Sequence, residues 1–163
     1  MNSTKKLSST WKLIIALLIC EAVGIISGLL SSTNNNNWFE TLSKPTWNPP
    51  GYLFAPVWIT LYFVMGISLW LIWKNKASEI NKRNQYFLFT AQLILNFFWS
   101  ILFFKFHQPL LALVDIVLML LLITLTIFSF SYYSKPAAWL LVPYIAWVSF
   151  ATFLNYSICI LNN

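Results

Sequence analysis

Five continuous apolar runs, each long enough to cross a bilayer as a helix, decide what this chain can fold into. They extend from Trp11 to Ser31, Tyr52 to Trp73, Tyr86 to Phe104, Pro109 to Tyr132 and Ala137 to Ile160. A spanning helix needs about 20 mostly apolar residues. A membrane strand needs about ten residues with strict alternation, a pattern these runs lack. Only 9% of the 163 residues are charged and 59% are hydrophobic, whereas a soluble domain carries roughly 25% charged residues. The predicted fold is therefore an all-α membrane protein with one five-helix transmembrane domain over residues 1–163, its natural partner being the lipid bilayer. Its helices are expected at about 11–31, 52–73, 86–104, 109–132 and 137–160, with a first loop at 32–51.

The basic start and first apolar run also resemble a secretory signal peptide. The run continues to Leu30, contains Glu21, and offers only a weak cleavage site at Gly28 to Ser32, so it is read as the first span. Cys20 and Cys159 both fall inside spans and read as small buried apolar residues rather than a disulfide framework.

The net charge of +6 does not point to nucleic acid, because its distribution follows the membrane. Lys5, Lys6 and Lys12 precede span 1. Lys74, Lys76, Lys82 and Arg83 lie between spans 2 and 3, and Lys135 lies between spans 4 and 5. Only Lys44 and Lys105 fall on the other side. By the positive-inside rule the N-terminus is cytoplasmic and the first loop lies outside. The segment from Lys74 to Arg83 reads as a solvated loop.

That first loop contains WFETLSKPTWNPPG, Trp38 to Gly51. Pro45, Pro49 and Pro50 each fix φ and restrict the preceding residue. Trp38, Phe39 and Trp47 offer large apolar faces that need a surface to lie on. Spacing supports two readings: a structured lid over the bundle, or an interfacial aromatic belt with ordinary turn prolines.

Within the spans, Gly24 and Gly28 form a small-xxx-small pattern, suited to packing within the bundle or to a homodimer seam. Glu21, one turn earlier, is an expensive residue in lipid, either facing a functional interior or snorkelling. Trp58, Tyr62, Met65, Leu69 and Trp73 share a face of span 2. Gln92, Asn96 and Ser100 recur along span 3, as glue between helices or as a polar spot in a cavity. Asp115 of span 4 is expected against Gln92 or Asn96, or at the interface. In span 5, Trp139, Pro143, Trp147, Ala151 and Asn155 repeat every four residues. Pro143 should kink the helix, and Ala151 leaves a gap beside Trp147. No Cys-x-x-Cys, paired histidine, phosphate loop or Ser/His/Asp set is present, so no metal site and no conventional catalysis are expected. His107 reads as an interfacial residue.

The lid segment, FAPVWITLYFVMG in span 2, QLILNFFWSILFF in span 3, LALVDIVL in span 4 and AAWLLVPYIAWVSFATFLNYS in span 5 together resemble the tryptophan-rich sensory protein family, also called the translocator protein or peripheral-type benzodiazepine receptor family. The resemblance implies a pocket among spans 1, 2, 3 and 5 beneath the first loop. It also implies ligands such as protoporphyrin IX or haem, isoquinoline- and benzodiazepine-type molecules and, in animal members, cholesterol, with no covalently bound cofactor. Residues expected to line the pocket are Trp47, Pro49, Pro50, Trp58, Tyr62, Gln92, Asn96, Trp99, Trp139, Trp147, Phe150 and Ala151. Trp58 and Trp147 match the tryptophans linked to light-dependent porphyrin breakdown. The cholesterol segment of animal members is incomplete here, since Leu154 and Tyr156 are followed by no Lys or Arg. The implied function is that of a membrane sensor or receptor-like binding protein. Light- and oxygen-dependent porphyrin degradation and porphyrin or sterol transport are the alternatives. The Asn, Lys and Ile bias points to a bacterial cell membrane.

Overall fold

The computed structural model describes residues 7–32, 38–77 and 82–162; Lys5, Lys6 and the whole asparagine run, Asn34 to Asn37, lie outside the described residues. The elements are α1 (Ser9–Ser32), a short α2 (Trp38–Thr41), a 3-10 turn (Gly51–Leu53) leading into α3 (Phe54–Lys74), α4 (Arg83–Ser100) continued by a π-helical turn (Ile101–Lys105), α5 (Pro109–Ser131), α6 (Lys135–Leu140) and α7 (Val142–Leu161). Five helical stretches are long and apolar enough to cross a membrane: Ser9–Ser31, Gly51–Lys74, Arg83–Lys105, Pro109–Ser131 and Lys135–Leu161. No strand occurs among the described residues. The predicted five-helix membrane bundle is the fold observed.

The helices close into a ring. α1 packs between α3 and α4, α4 packs on α5, α5 packs on α6 and α7, and α6 returns to α3. Met65, Phe89, Met119, Ile123, Phe130, Tyr144 and Val148 fill the centre. Leucines and phenylalanines such as Leu18, Leu110, Leu121 and Phe128 face outward toward lipid. α1 and α3 approach closely, since a Cβ on Gly66 would stand 2.9 Å from the Leu17 Cα. Only glycine permits that spacing.

Proline and serine punctuate the chain as their chemistry requires. Pro109 opens α5, where its missing N–H is not needed. The Ser134 hydroxyl caps α6 by accepting from the Ala137 N–H at 3.3 Å. Span 5 breaks at Leu141, just before Pro143, which cannot donate to the preceding turn.

Two expectations need correcting. The four-residue repeat in span 5 does not keep Trp139 on the inner face: its side chain is 72% exposed. A four-residue step drifts about 40° on a 3.6-residue helix, and the break at Leu141 changes the phase again, so Tyr144, Val148, Ala151 and Asn155 face inward instead. Nor is the loop between spans 2 and 3 wholly solvated. Lys82 is fully buried, and its ammonium donates to the carbonyls of Asn75 (3.1 Å), Ile72 (3.4 Å) and Trp73 (3.5 Å). A cation there meets the negative end of the α3 dipole. Lys12 joins it on the Trp73 carbonyl at 3.3 Å, so the basic residues brace one end of the bundle.

Candidate functional site

At the other end, α1 supplies one wall of a cavity. Glu21, Gly24, Ile25 and Gly28 are spaced by three, four and seven residues, one stripe of a helix. All four line a space of about 430 Å³ between α1, α3 and α4. α3 contributes Phe54, Trp58 and Tyr62; span 3 contributes Asn96, Trp99, Ser100 and Phe104. Gly24 lets α3 come close, since a Cβ there would run into the Tyr62 ring. Gly28 has nothing within 4 Å of where its Cβ would be, so its missing side chain is part of the open space.

The walls are aromatic. Trp58 lies 5.7 Å from Tyr62, 6.2 Å from Trp99 and 6.5 Å from Tyr144 between ring centres. The Trp99 indole N–H donates to Asn155 Oδ1 at 3.2 Å, and Asn155 Nδ2 donates to the Pro109 carbonyl at 2.9 Å. Span 5 and the start of α5 thereby fix that wall. The π-helical turn then offers consecutive phenylalanines to different surfaces: Phe104 lines the cavity, and Phe103 packs against Trp38 and Phe39. A π turn changes the helical phase without ending the helix, and such turns are common at functional sites.

The floor is polar. The Tyr62 hydroxyl donates to Asn96 Oδ1. Asn96 Nδ2 donates to the Tyr144 hydroxyl at 3.0 Å, and that hydroxyl donates to Gln92 Oε1 at 2.7 Å. This chain runs from α3 through α4 to α7 inside the bilayer, where no water would satisfy these groups. The stripe of Gln92 and Asn96 is thus glue between helices, and Asn96 faces the cavity as well. Ser100 pairs with Ser31 at 2.8 Å, tying α4 to α1. Gln92 Nε2 and Asp115 Oδ2 are buried without a hydrogen-bond partner among the described residues.

The segment from Trp38 to Gly51 is structured and packs on the bundle. Trp38 stacks on His107 at 4.3 Å, Trp47 stacks on Phe153 at 5.4 Å, and the Ser43 backbone exchanges two 2.9 Å bonds with the Asn162 amide. The segment packs on the C-terminal parts of span 3 and α7, and none of its residues lines the cavity, so it is not the expected lid over that space.

Of the residues expected to bind ligand, the structure brings Trp58, Tyr62, Asn96 and Trp99 together around the cavity. Gln92 stands behind them, at the end of the polar chain. Trp147 lies behind Phe54, edge to face at 6.0 Å, and Phe150 lies beside it. Ala151 borders a separate void of about 20 Å³. Trp47 sits on the α7 surface, Pro49 and Pro50 lead into the 3-10 turn, and Trp139 faces outward. Span 5 adds no residue to the cavity. Sequence reasoning did not single out Phe54, Phe104 or Tyr144. Tyr144 had a signal in its spacing to Val148, Ala151 and Asn155, whereas the phase of Phe104 depends on the π turn. No group of three histidine, cysteine or acidic side chains that could hold a metal ion occurs among the described residues.

Residues 16–161 match the family described as TspO/MBR. The chain belongs to the TspO/MBR family. It is 44% identical over 154 residues to the tryptophan-rich protein TspO of Chlorobaculum tepidum, covering 92% of this chain and 95% of that one. It is 39% identical over 151 residues to the TspO of Archaeoglobus fulgidus, covering 93% and 97%. The human translocator protein is 40% identical over 122 residues, 74% of this chain and 72% of that one. Membership in this family and five spanning helices make the protein a multi-pass membrane protein.

Proposed function

We propose that the cavity between α1, α3 and α4 binds a flat, largely apolar ligand, and that the protein acts as a membrane sensor or receptor for it. Tetrapyrroles such as protoporphyrin IX or haem, and isoquinoline- or benzodiazepine-type molecules, are the classes that the resemblance implies. One observation carries this reading: about 430 Å³ of space walled by Phe54, Trp58, Trp99 and Phe104 over a polar floor. Ligand sites of roughly 300–1,000 Å³ combine such apolar walls with a few fixed polar groups, and interiors without a ligand role are close-packed. Ile25, Leu29 and Ile59 form an exposed rim, so the ligand enters sideways from lipid.

The test is a titration of the purified protein in nanodiscs with protoporphyrin IX in the dark, following tryptophan emission. Saturable quenching that weakens in Trp58→Leu is expected. Quenching no stronger than in empty nanodiscs would overturn the reading.

A second reading is light-dependent porphyrin breakdown, favoured by the position of Trp58 among Tyr62, Trp99 and Tyr144. Trp58 would give an electron to the photoexcited ring, with dioxygen as terminal oxidant. Trp58→Phe keeps the stacking surface, so breakdown that continues unchanged in that variant would sink the assignment.

The basic end, with Lys12, Lys74, Lys76, Lys82, Arg83 and Lys135, is assigned to the cytoplasm of a bacterial cell. An impermeant thiol reagent applied to intact cells should label Ser43→Cys and spare Lys76→Cys; the reverse would invert the topology.

A further inference from the structure

The polar side chains around the cavity each have a hydrogen-bond partner, with two exceptions. Ser27 donates to the Gly24 carbonyl at 3.1 Å, Ser100 pairs with Ser31, Tyr62 and Asn96 are joined, and Trp99 is bound to Asn155. The Trp58 indole N–H and the Glu21 carboxylate have no such partner among the described residues. The single ion pair found among those residues, Lys44 with Glu40, lies in the first loop. Glu21 is near the middle of the 24-residue α1, with no cation beside it. An acidic side chain at that depth is costly unless it faces a cavity and meets a partner there.

The cavity supplies the direction. Along α1, Glu21 lies about 12 Å below Leu29 at 1.5 Å per residue, on the side of Tyr62 and Asn96. Phe54 and Phe104 stand at the opposite, outer end. A ligand reaching Glu21 therefore leads with one polar edge and leaves its apolar body between Trp58, Trp99 and Phe104.

We infer that Glu21 is the recognition group for a protonated amine, so that the cavity prefers a flat aromatic body carrying one cationic nitrogen over the same body without it. The ammonium satisfies the carboxylate that the protein leaves unpaired. The exchange costs little entropy, because the walls are already formed. An anionic group is turned away from this floor by the same charge, toward the outer face where Lys44 and Lys105 lie. This inference rests on the reading of the cavity as a ligand site.

The experiment compares two fluorescent probes with one flat body, 1-pyrenemethylamine and 1-pyrenemethanol. Each is titrated into the full chain in zwitterionic nanodiscs by tryptophan-to-pyrene energy transfer, with empty nanodiscs subtracted. The wild type should hold the amine about tenfold tighter than the alcohol, the size of one charge-assisted hydrogen bond in a desolvated site. Glu21→Gln should erase that ratio by weakening the amine, and Glu21→Asp should keep part of it. The variant removes a charge from the bilayer, so it is expected to fold. Equal binding of the two probes by the wild type, or an amine preference that survives in Glu21→Gln, overturns the role of Glu21 and leaves the cavity reading standing. Failure of both probes to bind, with Gly28→Leu indistinguishable from wild type, overturns the cavity reading itself and this inference with it.

Discussion

Gly24 and Gly28 lie one turn apart on the same face of α1 and meet opposite surroundings: the first is covered by the Tyr62 ring, and the second opens onto empty space. The same small residue serves close packing in one place and cavity volume in the next. Gly24→Ala forces the Tyr62 ring aside and disturbs its bond to Asn96, so it should lower stability by about 1–3 kcal/mol, the usual cost of overpacking. Gly28→Leu should leave the thermal midpoint in detergent nearly unchanged and abolish saturable porphyrin quenching. Equal destabilisation by both variants would refute the contrast.

Tyr144 is the hinge of the polar chain, accepting from Asn96 and donating to Gln92. Tyr144→Phe preserves the ring and strands both amides in the bilayer. Intramembrane hydrogen bonds measured by double-mutant cycles average about 0.6 kcal/mol, so a loss of about 1 kcal/mol is expected. Thermal unfolding in nanodiscs reads it. A midpoint equal to wild type would mean that the chain contributes nothing to stability.

The bundle was legible because lipid imposes length and polarity on each helix separately: all five runs coincide with spanning stretches to within three residues at every end. The polar stripe was also legible, since Gln92 and Asn96 had to find partners somewhere. What could not be read was phase beyond an interruption. Trp139 left the inner face because span 5 breaks at Leu141, and Phe104 gained the cavity because α4 loosens into a π turn. Both changes follow from backbone hydrogen bonding that side-chain spacing does not encode. Glu21 stands out in the sequence as a costly residue in lipid, but only the geometry shows it lining the cavity.

Lys82 carries a prediction for the opposite end. Its buried ammonium satisfies three carbonyls at the end of α3. Lys82→Met keeps the stem and removes the donors, and should cost about 1–2 kcal/mol, as expected for a buried cation at a helix C-terminus. Ligand affinity should be unchanged, since the cavity lies at the other end. A variant that loses affinity without losing stability would contradict this account.

Phe54 is the partition between the cavity and Trp147, lining the one and packing edge to face on the other at 6.0 Å. The Trp147 indole N–H is buried without a hydrogen-bond partner among the described residues, so a ligand group that passed Phe54 would find a donor ready for it. Phe54→Ala should join the two spaces, and the added volume should admit a bulkier ligand. In a background where Trp58 and Trp99 are replaced by Phe, a porphyrin in the wild-type cavity should quench the remaining emission weakly, and Phe54→Ala should deepen that quenching. Adding Trp147→Phe should abolish the extra component. If Trp147 is quenched equally with and without Phe54, the ligand already reaches span 5, and the cavity bounded by three helices is only part of the binding site.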